Sequence, residues 1–221
     1  LILVFTEFES FLWCSVLAVV GMVCLINLYN FMDGIDGIAG TEAVTVSAIA
    51  AILLWSHASN LAIPCLLLAA AVLGFLIWNW PPAKIFMGDV GSGFLGFVFA
   101  VLAIWSENSG AVPLLIWLLL LGVFIVDATV TLIKRMARGE KLYEAHRSHV
   151  YQLAVQAGYS HKQVTLTVLL INIMLGIVAA VTLYYHNYML LITLVTMAVL
   201  VVAHLLLGQV FKARIAKMNV N

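Results

Sequence analysis

Four side chains that carry oxygen atoms lie at three-residue intervals where a long apolar segment ends. They are Asn27, Asn30, Asp33 and Asp36, all within the stretch NLYNFMDGIDGIAG. Residues three apart occupy neighbouring positions on one helix face, so Asn27 and Asn30 can point together at the end of a helix. The three glycines of the stretch disfavour a continued regular helix, which places the two carboxylates in a looser turn.

A bound cation would offset the cost of placing these carboxylates beside a membrane. A carboxylate costs about 2.5–3.5 kcal/mol at the centre of a spanning helix, and less near the interface. Near a helix C-terminus it also meets the unfavourable end of the macrodipole. For a single residue the ordinary alternative holds, in which Asp36 caps the next helix and Asp33 is solvated. The cluster as a whole favours a cation site built from oxygen ligands.

A second polar stretch, PPAKIFMGDVGSGFLG, lies at residues 81–96. Asp89 stands between two nearby glycines, so the backbone can turn tightly and approach a ligand. The Gly/Ser run before a predicted helix offers amide hydrogens for a phosphate, although the Gly-Lys-Ser/Thr ending of a Walker A loop is missing. The alternative is a glycine-rich turn in which Ser92 caps the helix. Phe86 is either an interfacial anchor or a surface on which a planar base stacks.

A third stretch, EAHRSHVYQ, contains three side chains that can donate to phosphate oxygens. Arg147 offers a forked guanidinium, and His146 and His149 are donors whose charge depends on pH. The two histidines could also bind zinc, but no third ligand is evident nearby. The alternative is a solvated basic loop. Asp127, inside an apolar segment, predicts a polar partner or a cavity.

The composition predicts that these stretches connect membrane helices. Of the 221 residues, 65% are hydrophobic and 9% are charged, which is far from the composition of soluble globular domains. A spanning helix needs about 20 mostly apolar residues. We therefore predict an all-α, polytopic membrane protein, with residues 1–221 forming a single integral-membrane domain. The seven predicted spans are 11–28, 38–55, 61–79, 92–106, 111–133, 165–185 and 188–208.

The basic residues indicate which side of the membrane carries the polar stretches. If the chain crosses at each predicted span, all ten basic residues fall on the side of Asp33. The positive-inside rule then makes that side cytoplasmic. The net charge is zero, so nothing indicates a nucleic-acid partner, whereas the locally basic face suits an anionic ligand or lipid headgroups. The ten residues are Lys84, Lys134, Arg135, Arg138, Lys141, Arg147, Lys162, Lys212, Arg214 and Lys217.

The three stretches together predict phosphoryl transfer at the cytoplasmic face. Carboxylates and amides suit a hard cation, and Mg²⁺ is commonly shared with the phosphates of a substrate. A membrane transporter or channel is the alternative from another class, but it would place ionisable groups near the middle of the membrane. The gathering of charges in loops on one side favours the enzyme.

The motifs resemble those of the polyprenyl-phosphate N-acetylhexosamine-1-phosphate transferases, which belong to glycosyltransferase family 4. NLYNFMDGIDGIAG, FMGDVGSGFLG and AHRSHVYQ occur in this order, separated by predicted spans. The resemblance covers roughly residues 11–208. The third motif is more similar to the O-antigen-initiating branch than to the peptidoglycan branch, whose loop is richer in histidine.

The resemblance implies transfer of a sugar 1-phosphate from a UDP-N-acetylhexosamine to undecaprenyl phosphate, with release of UMP. This reaction starts a lipid-linked glycan of the cell envelope, for example in lipopolysaccharide biosynthesis. The implied setting is the bacterial inner membrane, with a multi-pass chain and a cytoplasmic active face. Homodimer formation is left open.

The resemblance also implies roles for individual residues. Asp89 and Asn30 would bind Mg²⁺, with Mn²⁺ as an alternative, and Asp89 and Asp33 would be catalytic. Asp36 would meet the uracil ring, on which Phe86 would stack. The two histidines and the arginine of the third motif would hold diphosphate oxygens. The complete set implied to bind substrate is Asn27, Asp36, Phe86, His146, Arg147 and His149.

One feature of the family is missing from this chain. Family members carry an adjacent pair of aspartates on an earlier cytoplasmic loop, implicated in the lipid-phosphate site. The chain contains no Asp-Asp dipeptide, and its first aspartate is Asp33. We therefore expect the chain to be the C-terminal part of a longer transferase.

Overall fold

The described part of the chain is entirely helical. The computed structural model describes residues 2–56, 58–141 and 147–219, with side chains from Trp13 onward. These ranges contain nine α-helices, one short 3-10 helix and no strand, which confirms the predicted all-α class. The α-helices are Ile2–Phe31 (α1), Ile38–Leu54 (α2), Ser59–Asn79 (α3), Gly88–Asn108 (α4), Leu114–Leu120 (α5), Gly122–Ala137 (α6), Val150–Gln156 (α7), His161–Tyr184 (α8) and Met189–Met218 (α9).

The predicted count of seven membrane spans is not confirmed. Within the described ranges, five helical segments are long and apolar enough to cross a membrane. A sixth results if α5 and α6, which meet at an angle of 80°, form one broken span. Helix α2 has 17 residues and is therefore about 26 Å long, against about 30 Å for the hydrocarbon core of a bilayer. The five segments are Trp13–Phe31, Ser59–Asn79, Gly88–Asn108, His161–Tyr184 and His186–Met218.

Two predicted spans differ from the helices at these positions. The span predicted at 92–106 is a full helix of 21 residues, because α4 begins at Gly88 and includes the Gly/Ser run. The span predicted at 111–133 is broken at Leu121, whose backbone angles lie outside the helical range. The next residue, Gly122, is in contact with side chains of α8 and α9, so a Cβ atom there would be 3.0 Å from a methyl carbon of Leu200.

The turn between α1 and α2 depends on one glycine and one buried amide. Gly37 has a φ of 76°, which L-residues with side chains rarely adopt. Its N–H donates to Oδ1 of Asn79 at 3.0 Å, and the amide of Asn79 donates to the carbonyl of Ile85 at 2.8 Å. Asn79 ends α3 and is 3% exposed. The amide therefore joins the loop before α2 to the loop before α4.

Helices α1 and α4 pack closely because α4 carries a glycine at the contact. A Cβ atom on Gly96 would be 2.8 Å from both the Cα of Ile26 and the carbonyl oxygen of Leu25. Nearby, the ring of Tyr29 lies between those of Phe99 and Phe124, with centroid distances of 5.7 and 5.0 Å. The backbone contact sets the distance between the two helix ends that carry Asn30 and Asp89.

A buried polar pair joins α2 to α8. The side-chain amide of Asn172 donates a hydrogen bond to the carboxyl group of Glu42, and both residues are almost completely buried. A buried polar group needs such a partner in apolar surroundings. Glu42 is not among the residues singled out in the sequence, since it is a lone acidic residue in an apolar segment.

We expect Gly96→Ala to destabilise the protein, and Gly93→Ala to leave its stability nearly unchanged. The new methyl at position 96 would push against the backbone of α1, at a cost of about 1–3 kcal/mol. Gly93 lies in the same helix, but its Cβ would make an ordinary contact, 3.7 Å from Ile26. Thermal unfolding of both variants measures the difference. Equal stability of the two variants would contradict the close packing at Gly96.

Candidate active site at the loop face

The structure brings the first and second polar stretches into direct contact. The hydroxyl of Ser92, in α4, donates to Oδ1 of Asn30 at the end of α1 at 2.7 Å. The same hydroxyl lies 3.2 Å from the carbonyl of Gly88, one turn earlier in α4. Asp89, in the first turn of that helix, is therefore held close to Asn30. Ser92 is a contact residue inside the helix rather than the predicted cap.

Two carboxylates influence each other at this contact. Burial, and then the negative charge of Asp89, raise the pKa of Asp33 from its usual value to about 7. Asp89 itself is exposed, and it lies at the positive end of the α4 dipole, which favours negative charge. Two carboxylates and the amide oxygen of Asn30 thus face one region. A bound cation would offset the negative charge of the two carboxylates.

Asp36 connects three loops. Its Oδ2 atom accepts a hydrogen bond from the N–H of Ala83 at 3.1 Å, and lies 3.3 Å from Nδ1 of His161. Its carbonyl accepts from the hydroxyl of Thr165 at 3.0 Å. Asp36 does not cap α2, because the capping position belongs to Gly37. The loops before α2, α4 and α8 therefore meet at one residue on one side of the helices.

Asp127 has the polar partners that its apolar segment predicts. Its carboxylate accepts hydrogen bonds from the N–H groups of Val150 and Tyr151 at 3.0 and 3.2 Å, at the start of α7. Its Oδ1 also lies 3.3 Å from Nδ1 of His149 and 3.3 Å from the Thr131 hydroxyl. Carboxylates at helix N-termini are favoured by the free amides and by the dipole. Asp127 therefore fixes the start of α7, and with it the position of His149.

The start of α7 is also attached to the end of α1. The Tyr151 hydroxyl donates to the carbonyl of Phe31 at 2.9 Å. The His149 ring, 1% exposed, lies between the rings of Phe31 and Tyr151 at centroid distances of 6.3 and 5.7 Å. Since Phe31 ends the helix that carries Asn30, the third polar stretch adjoins the first. Asp127 accordingly lies near the loop side of the bundle.

Three further predicted site residues, Asn27, Phe86 and Arg147, are exposed. Asn27 is exposed, and its amide donates to the carbonyl of Val23 at 2.7 Å. Phe86 is 78% exposed, which leaves its ring accessible for stacking. Arg147 is exposed, and its carbonyl accepts from the Gln156 amide at 2.8 Å. His146 lies outside the described residues. The ligand contacts expected of these residues stay predictions.

Several residues that organise this region were missed in the sequence. His161 contacts Asp36 from 125 residues away, and nothing in the local pattern around it indicates that contact. Asn79 could have been noticed, since it is an amide at the end of an apolar helix on the same side as the motifs. The hydroxyl of Tyr151 is part of the third motif, but its bond to Phe31 spans 120 residues.

The donor set suits a hard cation that is shared with a substrate. Among the described residues there is no group of three or more His, Cys, Asp or Glu side chains that could hold a metal ion. Mg²⁺ does not need one, because it is usually held by one or two carboxylates, substrate phosphates and water. Asn30 Oδ1 accepts one hydrogen bond from Ser92, and a carbonyl oxygen has a second lone pair. The residues present therefore fit Mg²⁺.

Comparison with known proteins identifies similar sequences in bacterial transferases. A family model described as Glycosyl transferase family 4 matches residues 2–107. A Bacillus subtilis (strain 168) protein named probable undecaprenyl-phosphate N-acetylglucosaminyl 1-phosphate transferase is 31% identical over 153 residues, which are 66% of this chain and 43% of that protein.

Two further relatives have related names. The undecaprenyl-phosphate alpha-N-acetylglucosaminyl 1-phosphate transferase of Escherichia coli (strain K12) is 26% identical, over 65% of this chain and 41% of that protein. The decaprenyl-phosphate N-acetylglucosaminephosphotransferase of Mycobacterium leprae (strain TN) is 31% identical, over 53% of this chain and 32% of that protein. The matched part of the chain thus spans less than half the length of these curated relatives.

We expect Asp33→Asn to stabilise the protein without divalent metal, and more at pH 8 than at pH 5. The unfolded chain loses the Asp33 proton near pH 4, whereas the folded protein keeps it up to about pH 7. The ionised carboxylate therefore costs folded-state stability as the pH rises through that window, and the amide does not. The advantage of the variant should grow by about 1–3 kcal/mol between the two pH values. Thermal unfolding in a chelator measures it, and an equal advantage at both pH values would contradict this account.

We expect Asp127→Ala to destabilise the third stretch strongly. Removal of the carboxylate leaves two buried backbone N–H groups without their acceptor, at a cost of about 3–5 kcal/mol. Thr131→Val is the matched control, because it removes only one long hydrogen bond to the same carboxylate. Thermal unfolding and limited proteolysis near residue 147 are the measurements. Equal effects of the two variants would show that Asp127 does not hold the start of α7.

Proposed function

We propose that the chain belongs to glycosyl transferase family 4 and that its protein transfers a sugar 1-phosphate to a polyprenyl phosphate. The proposed donor is a UDP-N-acetylhexosamine, the acceptor is undecaprenyl phosphate, and UMP is released. The names of the relatives support the acceptor class and the phosphotransferase reaction. We further propose that the reaction starts a lipid-linked glycan of the O-antigen type, at the cytoplasmic face of a bacterial inner membrane.

The observation that carries the proposal is the hydrogen bond between Ser92 and Asn30. It joins the ends of α1 and α4, so that two carboxylates and an amide oxygen face one region. The contacts of Asp36 and Tyr151 add the loops before α8 and α7 to the same face. A diphosphate substrate needs cation ligands and phosphate donors side by side, and the residue types at this face suit both roles.

The proposed role of Asp89 and Asn30 is to hold Mg²⁺ together with the diphosphate. When bound, the ion would neutralise charge on the phosphate oxygens. Asp33, which shares this region of negative charge, is proposed to be catalytic with Asp89. These three residues set the position of the diphosphate relative to the membrane surface.

The proposed donor site extends from the cation ligands toward the exposed edge. Phe86 offers an accessible ring on which uracil can stack, and the carboxylate of Asp36 is the proposed polar partner of that base. Arg147 and His149 are proposed to hold diphosphate oxygens, and charge-assisted donors of this kind are strong. In the reaction, an oxygen of the lipid phosphate forms a bond to the sugar-bearing phosphorus. The bond from that phosphorus to the UMP oxygen breaks, and UMP leaves.

The distribution of charge favours the transferase over a transporter. Transport of an ion or a polar solute calls for ionisable groups along a path through the membrane. The carboxylates described here instead gather with the basic residues at one face. Two described carboxyl groups are exceptions. That of Glu42 is paired with Asn172, and that of Glu107, at the opposite end of α4, accepts a hydrogen bond from the N–H of Leu114.

We expect Asp89→Asn in the full-length protein to lower Mg²⁺-dependent UMP release at least about 100-fold, because a carboxylate ligand is lost. Expression and the unfolding temperature should be close to those of the original protein, since the Asp89 side chain is exposed. Release of UMP from a UDP-sugar and undecaprenyl phosphate is the measurement.

The matched control is Glu107→Gln, which makes the same chemical change at the opposite end of the same helix. This variant should retain its activity. Undiminished activity of Asp89→Asn would remove Asp89 from the cation site.

A further inference from the structure

A cavity lined by cations lies beside the proposed active site but shares none of its residues. It has a volume of about 200 Å³ and lies between the C-terminal end of α6, the start of α7 and the second half of α9. Lys134 and Arg135 line it from α6. Arg138, which directly follows that helix, and Lys212 in α9 also line it. Of the described residues assigned to the cation, the uracil or the diphosphate, none lines this cavity.

The positive charges around the cavity are only partly balanced. Lys134 is repelled by Lys212 and Arg138, and the negative charge of Asp127 offsets this repulsion only in part. The nearest acidic partner of Arg138 is Glu140 at 3.7 Å, and that carboxylate makes its closer contact, 2.9 Å, with Arg135. Within the described ranges, no carboxylate lies within 4 Å of the ammonium groups of Lys134 and Lys212. The cavity therefore favours an anion.

A second, apolar cavity adjoins the first. It has a volume of about 380 Å³ and lies between α6, α7, α8 and α9, with walls that are mostly aliphatic. His204 and Val150 line both cavities, so the cationic space lies directly beside the apolar one. The oxygens of Asp127 at the boundary already accept hydrogen bonds from the start of α7. A molecule that fills both cavities must have an anionic end and an apolar end.

We propose that the two cavities bind one anionic membrane phospholipid. Its phosphate lies among Lys134, Arg138 and Lys212, and one acyl chain enters the apolar cavity. Basic pockets between membrane helices at the cytoplasmic face are known to suit such headgroups. Orientation in the membrane explains why cations lie on this side. It does not explain why four of them line one cavity that adjoins an apolar one.

The test compares two double variants of the full-length protein in detergent micelles. Lys134→Gln with Lys212→Gln removes two charges from the cavity. Lys162→Gln with Lys217→Gln removes two charges from exposed positions on the same face, and neither lysine lines either cavity. Binding of phosphatidylglycerol and of phosphatidylcholine is measured by native mass spectrometry.

We expect the original protein and the control variant to bind phosphatidylglycerol more tightly than phosphatidylcholine. The cavity variant should bind phosphatidylglycerol about 30-fold more weakly, since each lysine near a membrane surface contributes about 1 kcal/mol toward an anionic lipid. Equal losses in both double variants, or no preference for phosphatidylglycerol in the original protein, would overturn the proposal.

Further arms of the experiment separate the lipid from other phosphates. Ala203→Phe fills the apolar cavity without a change in charge, and should weaken phosphatidylglycerol binding, with thermal unfolding as the check on folding. Inorganic phosphate should not displace the lipid. Displacement by inorganic phosphate would make this a site for a soluble anion. Selective displacement by undecaprenyl phosphate would assign the cavities to the acceptor, and either result would overturn the proposal.

Discussion

A polar group among membrane helices must find its partner within the protein, because no water is available in the hydrocarbon region. This constraint shapes the loop face. The carboxylate of Asp127 accepts hydrogen bonds from backbone N–H groups at the start of α7. Asp36 accepts hydrogen bonds from the loop before α4 and from the start of α8. The side chain of Asn79 forms hydrogen bonds with the backbone of Gly37 and of Ile85, and so joins the turns around these two residues. Each of these hydrogen bonds avoids the free-energy cost of a buried polar group without a partner, and each also brings two segments together. The proposed active site therefore follows from the hydrogen bonds that the bundle needs for its polar groups.

Asp33 and Asp89 differ from these residues, because they are two negatively charged groups near each other. Burial, and then the negative charge of Asp89, raise the pKa of Asp33. Groups whose environment opposes their ionised form are common where a protein binds or transforms a ligand. The carboxylate of Asp127 has its hydrogen-bond partners within the chain, whereas the surroundings of Asp33 disfavour its ionised form. This contrast supports the proposal that Asp33 and Asp89 face a ligand.

The sequence was sufficient to predict what depends on local pattern. The all-α class followed from apolar segments, and the gathering of three polar stretches on one face followed from the count of crossings and the basic residues. The break at Leu121 and the early start of α4 at Gly88 were not predicted, because neither has a local signal beyond the glycines. The contacts between His161 and Asp36, and between Asp127 and the start of α7, join residues 125 and 23 positions apart. Such pairs depend on packing, which a single sequence does not display.

Helix α2 is about 4 Å shorter than the hydrocarbon core of an average bilayer. A segment that is too short for its membrane thins the surrounding lipid or draws its flanking residues inward, at a cost of fractions of a kcal/mol per ångström. The turn that precedes α2 holds Asp33 and Asp36, so hydrophobic mismatch acts directly on the depth of these carboxylates. The depth of the polar face beneath the headgroups would therefore depend on bilayer thickness. Lipids with shorter or longer chains would change this depth.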